Sequence, residues 1–334
     1  MGSKALERYY RVLDGDEIAR YLVCKERRTD ADLSASTDEL WAAHRRALRG
    51  GDGDGADLLS LKGELAERLQ SECVLCERRC RARRGEGQAG HCGVLDARVT
   101  SEFIHMGEEP DLVPSYTVFF AGCTFDCVYC QNWEISTRPR SGVRIPPDEM
   151  ARMIEGRAGR ARGLRTSAAR NVNWVGGDPT SNLPYILRTL QGCDADIAQV
   201  WNSNMYLSEE AMELLDSVVD VYLTDFKYGN DACAMRLSGV PEYMRVVTRN
   251  HLKARSHAEM IVRHLVLPGH VECCTRPALE WIASNLEDVK VNVMAQYRPE
   301  HRAREFPEIS RRLRTAEYEE AVRTAADLGL EPAD

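Results

Sequence analysis

The chain has no apolar run approaching the ~18 residues that a membrane-spanning helix needs. Its start, MGSKALERYY, lacks the apolar centre of a secretion signal. Position 6 is leucine, where an N-myristoylation signal carries Ser or Thr. Excess positive charge is missing too: 44 Lys and Arg stand against 52 Asp and Glu, for a formal net charge of −8. A nucleic-acid surface needs clustered cations to release counterions from phosphates. Only short basic runs occur, such as Arg78-Arg79-Cys80-Arg81-Ala82-Arg83-Arg84, which could grip an acidic partner. Extended low-complexity tracts and internal repeats are absent as well. These absences predict a soluble, cytoplasmic, globular protein with neither membrane nor nucleic acid among its partners.

Cysteine, by contrast, is abundant: 12 in 334 residues. In a reducing compartment structural disulfides are rare, so clustered cysteines are metal-site or redox candidates. Two clusters hold seven of them: Cys73, Cys76, Cys80 and Cys92, then Cys123, Cys127 and Cys130. Cys24, Cys193 and Cys233 stand alone and read as structural. Cys273 and Cys274 are adjacent, a spacing that does not readily let both chelate one metal.

Residues 1–72 read as a helical N-terminal region, with apolar periodicity in Leu6-Tyr9-Tyr10-Val12-Leu13 and again around Leu40 and Leu58. The Gly- and Asp-rich tract Arg49 to Gly55 separates two of the helices as a loop. Residues 73–115 read as a four-cysteine metal-binding loop and connection. From 116 to 297 short β-branched runs alternate with helical stretches; the runs are Tyr116–Ala121, Val172–Val175, Ile197–Trp201, Val218–Leu223, Met260–Val266 and Val289–Met294. Strands apolar on both faces and separated by helices predict a parallel α/β sheet. Six such units predict a partial (β/α)6 barrel, with its site at the carboxyl ends of the strands. Residues 298–334 form a charged C-terminal extension with one helix beginning near Thr315.

Directly after the first of these strands comes Gly122-Cys123-Thr-Phe-Asp-Cys127-Val-Tyr129-Cys130, a C-x3-C-x2-C loop. Thiolates are the usual ligands of iron–sulfur clusters. Three of them leave the fourth iron of a 4Fe–4S cluster without a protein ligand, open to the amino and carboxylate groups of S-adenosylmethionine (SAM). The competing reading is a zinc knuckle that borrows a distant fourth ligand. The C-x3-C-x-aromatic-C pattern resembles the signature of the radical SAM superfamily. That resemblance implies a radical SAM barrel in which Tyr129 lies near the adenine of SAM.

Further motifs stand at the ends of later strands. Gly176-Gly177-Asp178-Pro179-Thr180 lets the backbone approach a ligand and offer N–H groups, with the Asp178 carboxylate a candidate for an ammonium group; an ordinary capped turn is the alternative. The family has GGE at this place, so Asp178 is one methylene short. Asn202, Ser203 and Asn204 suit a ribose or carboxylate, against a plain capping role for Ser203 or Asn204. Asp225-Phe-Lys227 is similar to a D-x-K segment of activating enzymes, with a structural ion pair as the rival. Arg263, inside an apolar strand, needs a partner, and the SAM carboxylate is an apt bidentate one. His264 reads more often as a satisfied core histidine than as a functional group. Val266 to Gly269, with Pro268, resembles the family segment that lines adenine with backbone groups.

Cys73, Cys76, Cys80 and Cys92 make C-x2-C-x3-C-x11-C, four soft ligands suited to a closed zinc or iron site or a second cluster, with His91 as a substitute ligand. Together with the later motifs they look like the radical SAM subgroup related to the pyruvate formate-lyase activating enzyme. The resemblance implies action on a protein or peptide, and an electron donor such as ferredoxin or flavodoxin. Arg263, Asp225 and Lys227 are the implied catalytic residues. Two outcomes stay open: glycyl-radical activation, or C-methylation through cobalamin, as in the methanogen enzymes that modify methyl-coenzyme M reductase. No D-x-H-x-x-G loop is present for cobalamin; Gln296, Tyr297 and His301 are candidates to wall a large second cofactor. A metal-binding scaffold or electron carrier is the reading from another class.

Overall fold

The computed structural model describes residues 4–158 and 168–333. Parallel strands need crossover connections, and the alternation of β-branched runs with helices produces them. One sheet carries eight strands in chain order: β1 (Val99–His105), β2 (Ser115–Phe120), β3 (Asn171–Gly176), β4 (Ala198–Ser203), β5 (Val221–Asp225), β6 (Glu259–Leu265), β7 (Lys290–Met294) and β8 (Glu331–Pro332). β2 through β8 pair in parallel, and β1 joins β2 antiparallel.

The strands β2–β7 are the six expected from the sequence, with ends displaced by a few residues, and they form the expected partial barrel. β1 and β8 lie outside that expectation. β1 carries polar residues in a stretch expected to be a loop, and β8 is a two-residue edge containing a proline.

Among the described residues, four α-helices precede the sheet: α1 (Glu7–Asp14), α2 (Arg20–Glu26), α3 (Thr37–Leu48) and α4 (Leu58–Ser71). α3 starts on a Ser36–Glu39 capping box, and Asp57 caps α4. The crossovers hold α5 (Trp133–Ser136), α6 (Pro147–Arg157), α7 (Leu183–Gln191), α8 (Glu209–Leu215), α9 (Asp231–Ser238), α10 (Tyr243–His257) and α11 (Arg276–Asn285). α12 (Thr315–Asp327) leads to β8.

α1 closes the end of the barrel where the strands begin. Tyr9 and Val12 are buried along it, as is Leu6 just before it. Arg8 Nη1 donates to Asp220 Oδ1 (2.6 Å), just before β5. The backbone N–H groups of Arg8 and Tyr9 donate to the Glu259 carboxylate that opens β6 (2.6 and 2.7 Å). The Tyr9 hydroxyl accepts from Asn171 Nδ2 at the start of β3 (2.8 Å). The main apolar core runs from Leu6 to Ala333, so the end where the strands finish is the one left for chemistry.

Two histidines are built into this core as neutral groups. His251 Nδ1 donates to Val247 O (2.8 Å) and its Nε2 accepts from Thr224 Oγ1 (2.9 Å). His264 makes the same pair of bonds with Phe226 O (2.7 Å) and Thr275 Oγ1 (2.9 Å), the fate of a core histidine. Burial pushes each down to about 4. A histidine whose folded value lies below its unfolded value of about 6.5 stabilises the fold fully above that value and progressively less as pH falls toward 4. Acidifying from pH 6.5 to 5 should therefore cost on the order of 2 kcal/mol per histidine. Melting temperatures across that range should fall for the wild type and fall less steeply for His251→Asn.

Candidate functional site

The loop after β2 carries Cys123, Cys127 and Cys130 into a cavity at the carboxyl ends of the strands. It is pinned along its length: Asp126 N–H donates to Ser238 O (3.0 Å) and Val128 N–H to Leu237 O (2.9 Å), both at the end of α9. Each sulfur has a polar neighbour. Ser238 Oγ donates to Cys127 Sγ (2.9 Å), Asn204 Nδ2 reaches Cys123 Sγ (3.7 Å), and Cys130 Sγ lies 3.3 Å from Ser136 Oγ. Burial pushes the Cys123 and Cys127 thiols up, Cys127 to about 12.

Gly176 and Gly177 sit against this loop so closely that no side chain fits. A Cβ on Gly177 would lie 1.9 Å from Gly122 O, and one on Gly176, at φ +125°, would lie 2.1 Å from Phe120 N. Gly177 N–H donates to Phe120 O (2.8 Å) and Asp178 N–H to Gly122 O (3.1 Å). The N–H groups of Gly177 and Asp178 thus fasten the loop, where the sequence suggests donors toward a ligand. The Asp178 carboxylate is likewise committed. It is buried, and it accepts from Thr180 N–H (2.9 Å), Ser203 Oγ (2.9 Å) and Asn204 N–H (3.0 Å). It acts as a cap and brace, with both oxygens engaged by neighbouring donors. Gly177→Ala should force the Gly122–Cys123 backbone aside at a cost of about 1–3 kcal/mol, read as reduced iron uptake on reconstitution.

The opposite wall holds Asn202, Asp225, Lys227, Arg263, Leu265, Met294 and Gln296. Lys227 Nζ donates to Asp225 Oδ2 (2.8 Å). Arg263 donates through Nε to Asp225 Oδ1 (3.1 Å), through Nη1 to Glu108 Oε2 (3.3 Å) and through Nη2 to Asn202 Oδ1 (2.5 Å). Burial acts to raise the Asp225 carboxyl, but Lys227 and Arg263 outweigh it and bring the group down to about 2. The buried arginine therefore finds its partners in protein carboxylates, Asp225 and Glu108. Glu108 escapes a sequence reading because it precedes the barrel, on the connection from β1, and carries no motif of its own.

Tyr129 is buried beside the cysteines, and its hydroxyl donates to Tyr228 (2.7 Å). Tyr228 in turn contacts Ser238, completing a hydroxyl chain to Cys127. Neither Tyr228 nor Ser238 stands in a recognisable motif. The Val266 and Pro268 side chains do not line the cavity. Val266 packs with Val271 and Ala321 of α12, its N–H donates to Met294 O (3.1 Å), and Pro268 O accepts from His270 Nδ1 (2.9 Å). Gln296 reaches the cavity and Tyr297 packs its ring on Tyr129, whereas His301 stacks on Trp133.

Cys73, Cys76, Cys80 and Cys92 converge on the loop after α4. Burial, and after it the neighbouring Cys92, Cys73 and Cys80, push the Cys76 thiol up. Gly90 closes over Cys80, where a Cβ would lie 2.4 Å from the sulfur. His91 faces Asp126 (3.0 Å). Cys24 and Cys193 are buried in the core. Cys233 is not isolated: its sulfur lies 4.0 Å from that of Cys273, because α9 packs against the segment after β6.

A parallel barrel with three cysteines of its first strand-end loop lining the cavity at the strand ends has the architecture of an α/β enzyme. The profile of the radical SAM superfamily matches residues 117–282. The chain belongs to the radical SAM superfamily. It is 42% identical over 342 aligned positions to the uncharacterized protein MJ0674 of Methanocaldococcus jannaschii, covering 98% of both chains. Among solved structures it is similar to Streptococcus suis SuiB bound to the precursor peptide SuiA (TM-score 0.44, 12% identity, 61% of this chain and 43% of that one). It is also similar to methylornithine synthase, PylB (TM-score 0.45, 10% identity, 95% of this chain and 76% of that one).

The superfamily implies a 4Fe–4S cluster and SAM, and the donor set fits. Among the described residues, Cys123, Cys127 and Cys130 are the only cysteines lining the cavity. Three thiols from one loop suit a cluster that keeps one iron open.

Proposed function

We propose that Cys123, Cys127 and Cys130 hold the 4Fe–4S cluster and that the chain reductively cleaves SAM to modify an unactivated C–H bond of a protein or peptide. The observation that carries this reading is the convergence of the three thiols with Gly176, Gly177, Asn202, Asn204, Asp225, Lys227 and Arg263 on one cavity. The cluster, when bound, supplies the single electron that breaks a carbon–sulfur bond of SAM and releases a 5′-deoxyadenosyl radical. The residues around it do the rest. Asn202, Asn204 and Lys227 present donors to the ribose and carboxylate of SAM, and Tyr129 flanks the adenine side. Arg263 holds Asp225, Glu108 and Asn202 in place across the cavity, so it is a positioning residue toward SAM. The backbone of Val266 and Pro268 supports the adenine end through the loop after β6.

The likeness to the pyruvate formate-lyase activating enzyme subgroup supports a protein or peptide substrate, with reducing equivalents from a ferredoxin or flavodoxin in the cytoplasm. Cys73, Cys76, Cys80 and Cys92 hold a second metal, iron or zinc, that braces the entry to the barrel. Cobalamin-dependent C-methylation, with Gln296 and Tyr297 toward the second cofactor, and glycyl-radical activation are the two finer outcomes. Anaerobic incubation with SAM and dithionite tests the reading: 5′-deoxyadenosine must form. S-Adenosylhomocysteine beside it indicates methyl transfer, and neither product at any cluster loading removes the proposal in favour of a scaffold or electron carrier.

A further inference from the structure

We infer that Cys233, His270 and Cys273 form a separate binding site for a zinc-class divalent cation, on the outer side of the loops after β5 and β6. Their three ligand atoms lie within 4.8 Å of one another, the one such group among the described residues. Two thiolates and an imidazole are borderline-soft donors that suit zinc. The Cys233–Cys273 sulfur separation of 4.0 Å is close to the edge of a tetrahedron built on Zn–S bonds of about 2.3 Å, roughly 3.8 Å.

The surroundings are arranged as a metal site requires. His270 is buried, and its Nδ1 donates to Pro268 O at 2.9 Å, which leaves the lone pair on Nε2 for a cation. Metal-bound histidines almost always direct their second nitrogen to a carbonyl or carboxylate in this way. Cys273 lies on a π turn over Val271–Thr275, a geometry common at functional sites. That turn is pinned from the other side: Asn230 Nδ2 donates to Cys273 O (2.7 Å), and Gly229 allows the approach, since a Cβ there would meet Cys274 O at 2.7 Å. Cys274 is buried behind Cys273, their sulfurs 3.9 Å apart, and sets its position. Cys273 is exposed, so the fourth coordination position faces solvent and takes water. A cation here would tie α9, whose last residue Ser238 donates to Cys127, to the loop that carries Val266 and Pro268. The site rests on its own geometry and stands or falls separately from SAM cleavage.

Peptide-resolved alkylation tests it on the full chain with its iron in place. With zinc added, Cys233 and Cys273 should react about tenfold more slowly with iodoacetamide than after chelation, because a metal-bound thiolate is shielded. His270→Gln, which leaves both thiols in place, should abolish that protection and lower zinc content by one equivalent, with iron and melting temperature unchanged. Equal reactivity with and without zinc overturns the site. So does protection that survives His270→Gln, a Cys233–Cys273 disulfide as the source of protection, or zinc that leaves only together with iron.

Discussion

Cys127→Ala should yield no 5′-deoxyadenosine above background when incubated anaerobically with SAM and dithionite. Among the described residues, the three thiols of the loop are the only cysteines lining the cavity, and each would anchor one of three cluster irons. With alanine at 127 one anchor is gone, and the Ser238 hydroxyl that approaches Cys127 at 2.9 Å loses its acceptor. Iron bound after reconstitution should fall in parallel, measured colorimetrically against protein. Cys193→Ala is the contrasting change. Its side chain is buried in the core beside Tyr21, so it should cost about 1 kcal/mol of stability and leave product formation intact. Wild-type turnover by Cys127→Ala would remove the loop from the chemistry altogether.

Arg263→Met should destabilise the fold by about 3–5 kcal/mol, the usual cost of leaving buried charges without their partner. The guanidinium is largely buried and faces two carboxylates, Asp225 at 3.1 Å and Glu108 at 3.3 Å, with side-chain exposures of 14%, 24% and 9% respectively. Methionine fills much of the volume but leaves Lys227 to balance both acids. The melting temperature should fall on the order of 10 °C, at roughly 2–4 °C per kcal/mol for a domain of this kind. Glu108→Gln in the same chain should recover part of the loss, because one of the stranded acids is then neutral. A melting temperature within a degree of wild type would show that the arginine carries no structural charge balance. Product formation should fall as well, since Asn202 loses the Arg263 contact that holds it at the cavity.

The parts of this architecture that are readable in the sequence are those in which chemistry and periodicity coincide. The six parallel strands announce themselves because burial on both faces favours short apolar runs rich in β-branched residues, as in Val172–Val175 and Met260–Val266. The cysteine loop is legible from spacing alone. What escapes depends on pairs distant in the chain. Glu108 meets Arg263 across 155 residues, and Cys233 meets Cys273 across 40; nothing local marks either. Asp178 is legible as a residue but not as a brace, since its three donors include Ser203 and Asn204 on another strand and its end. The glycines at 176 and 177 matter for what they let approach, and Gly122 O lies too far away in sequence to be anticipated.

The helix that seals the base of the barrel has a consequence for how the chain is made. Arg8 and Tyr9 are synthesised well ahead of their anchor Glu259, which lies 251 and 250 positions downstream. During translation water must serve these N–H groups until β6 has emerged. Contacts of such long sequence separation slow folding, so the base of the barrel is sealed late.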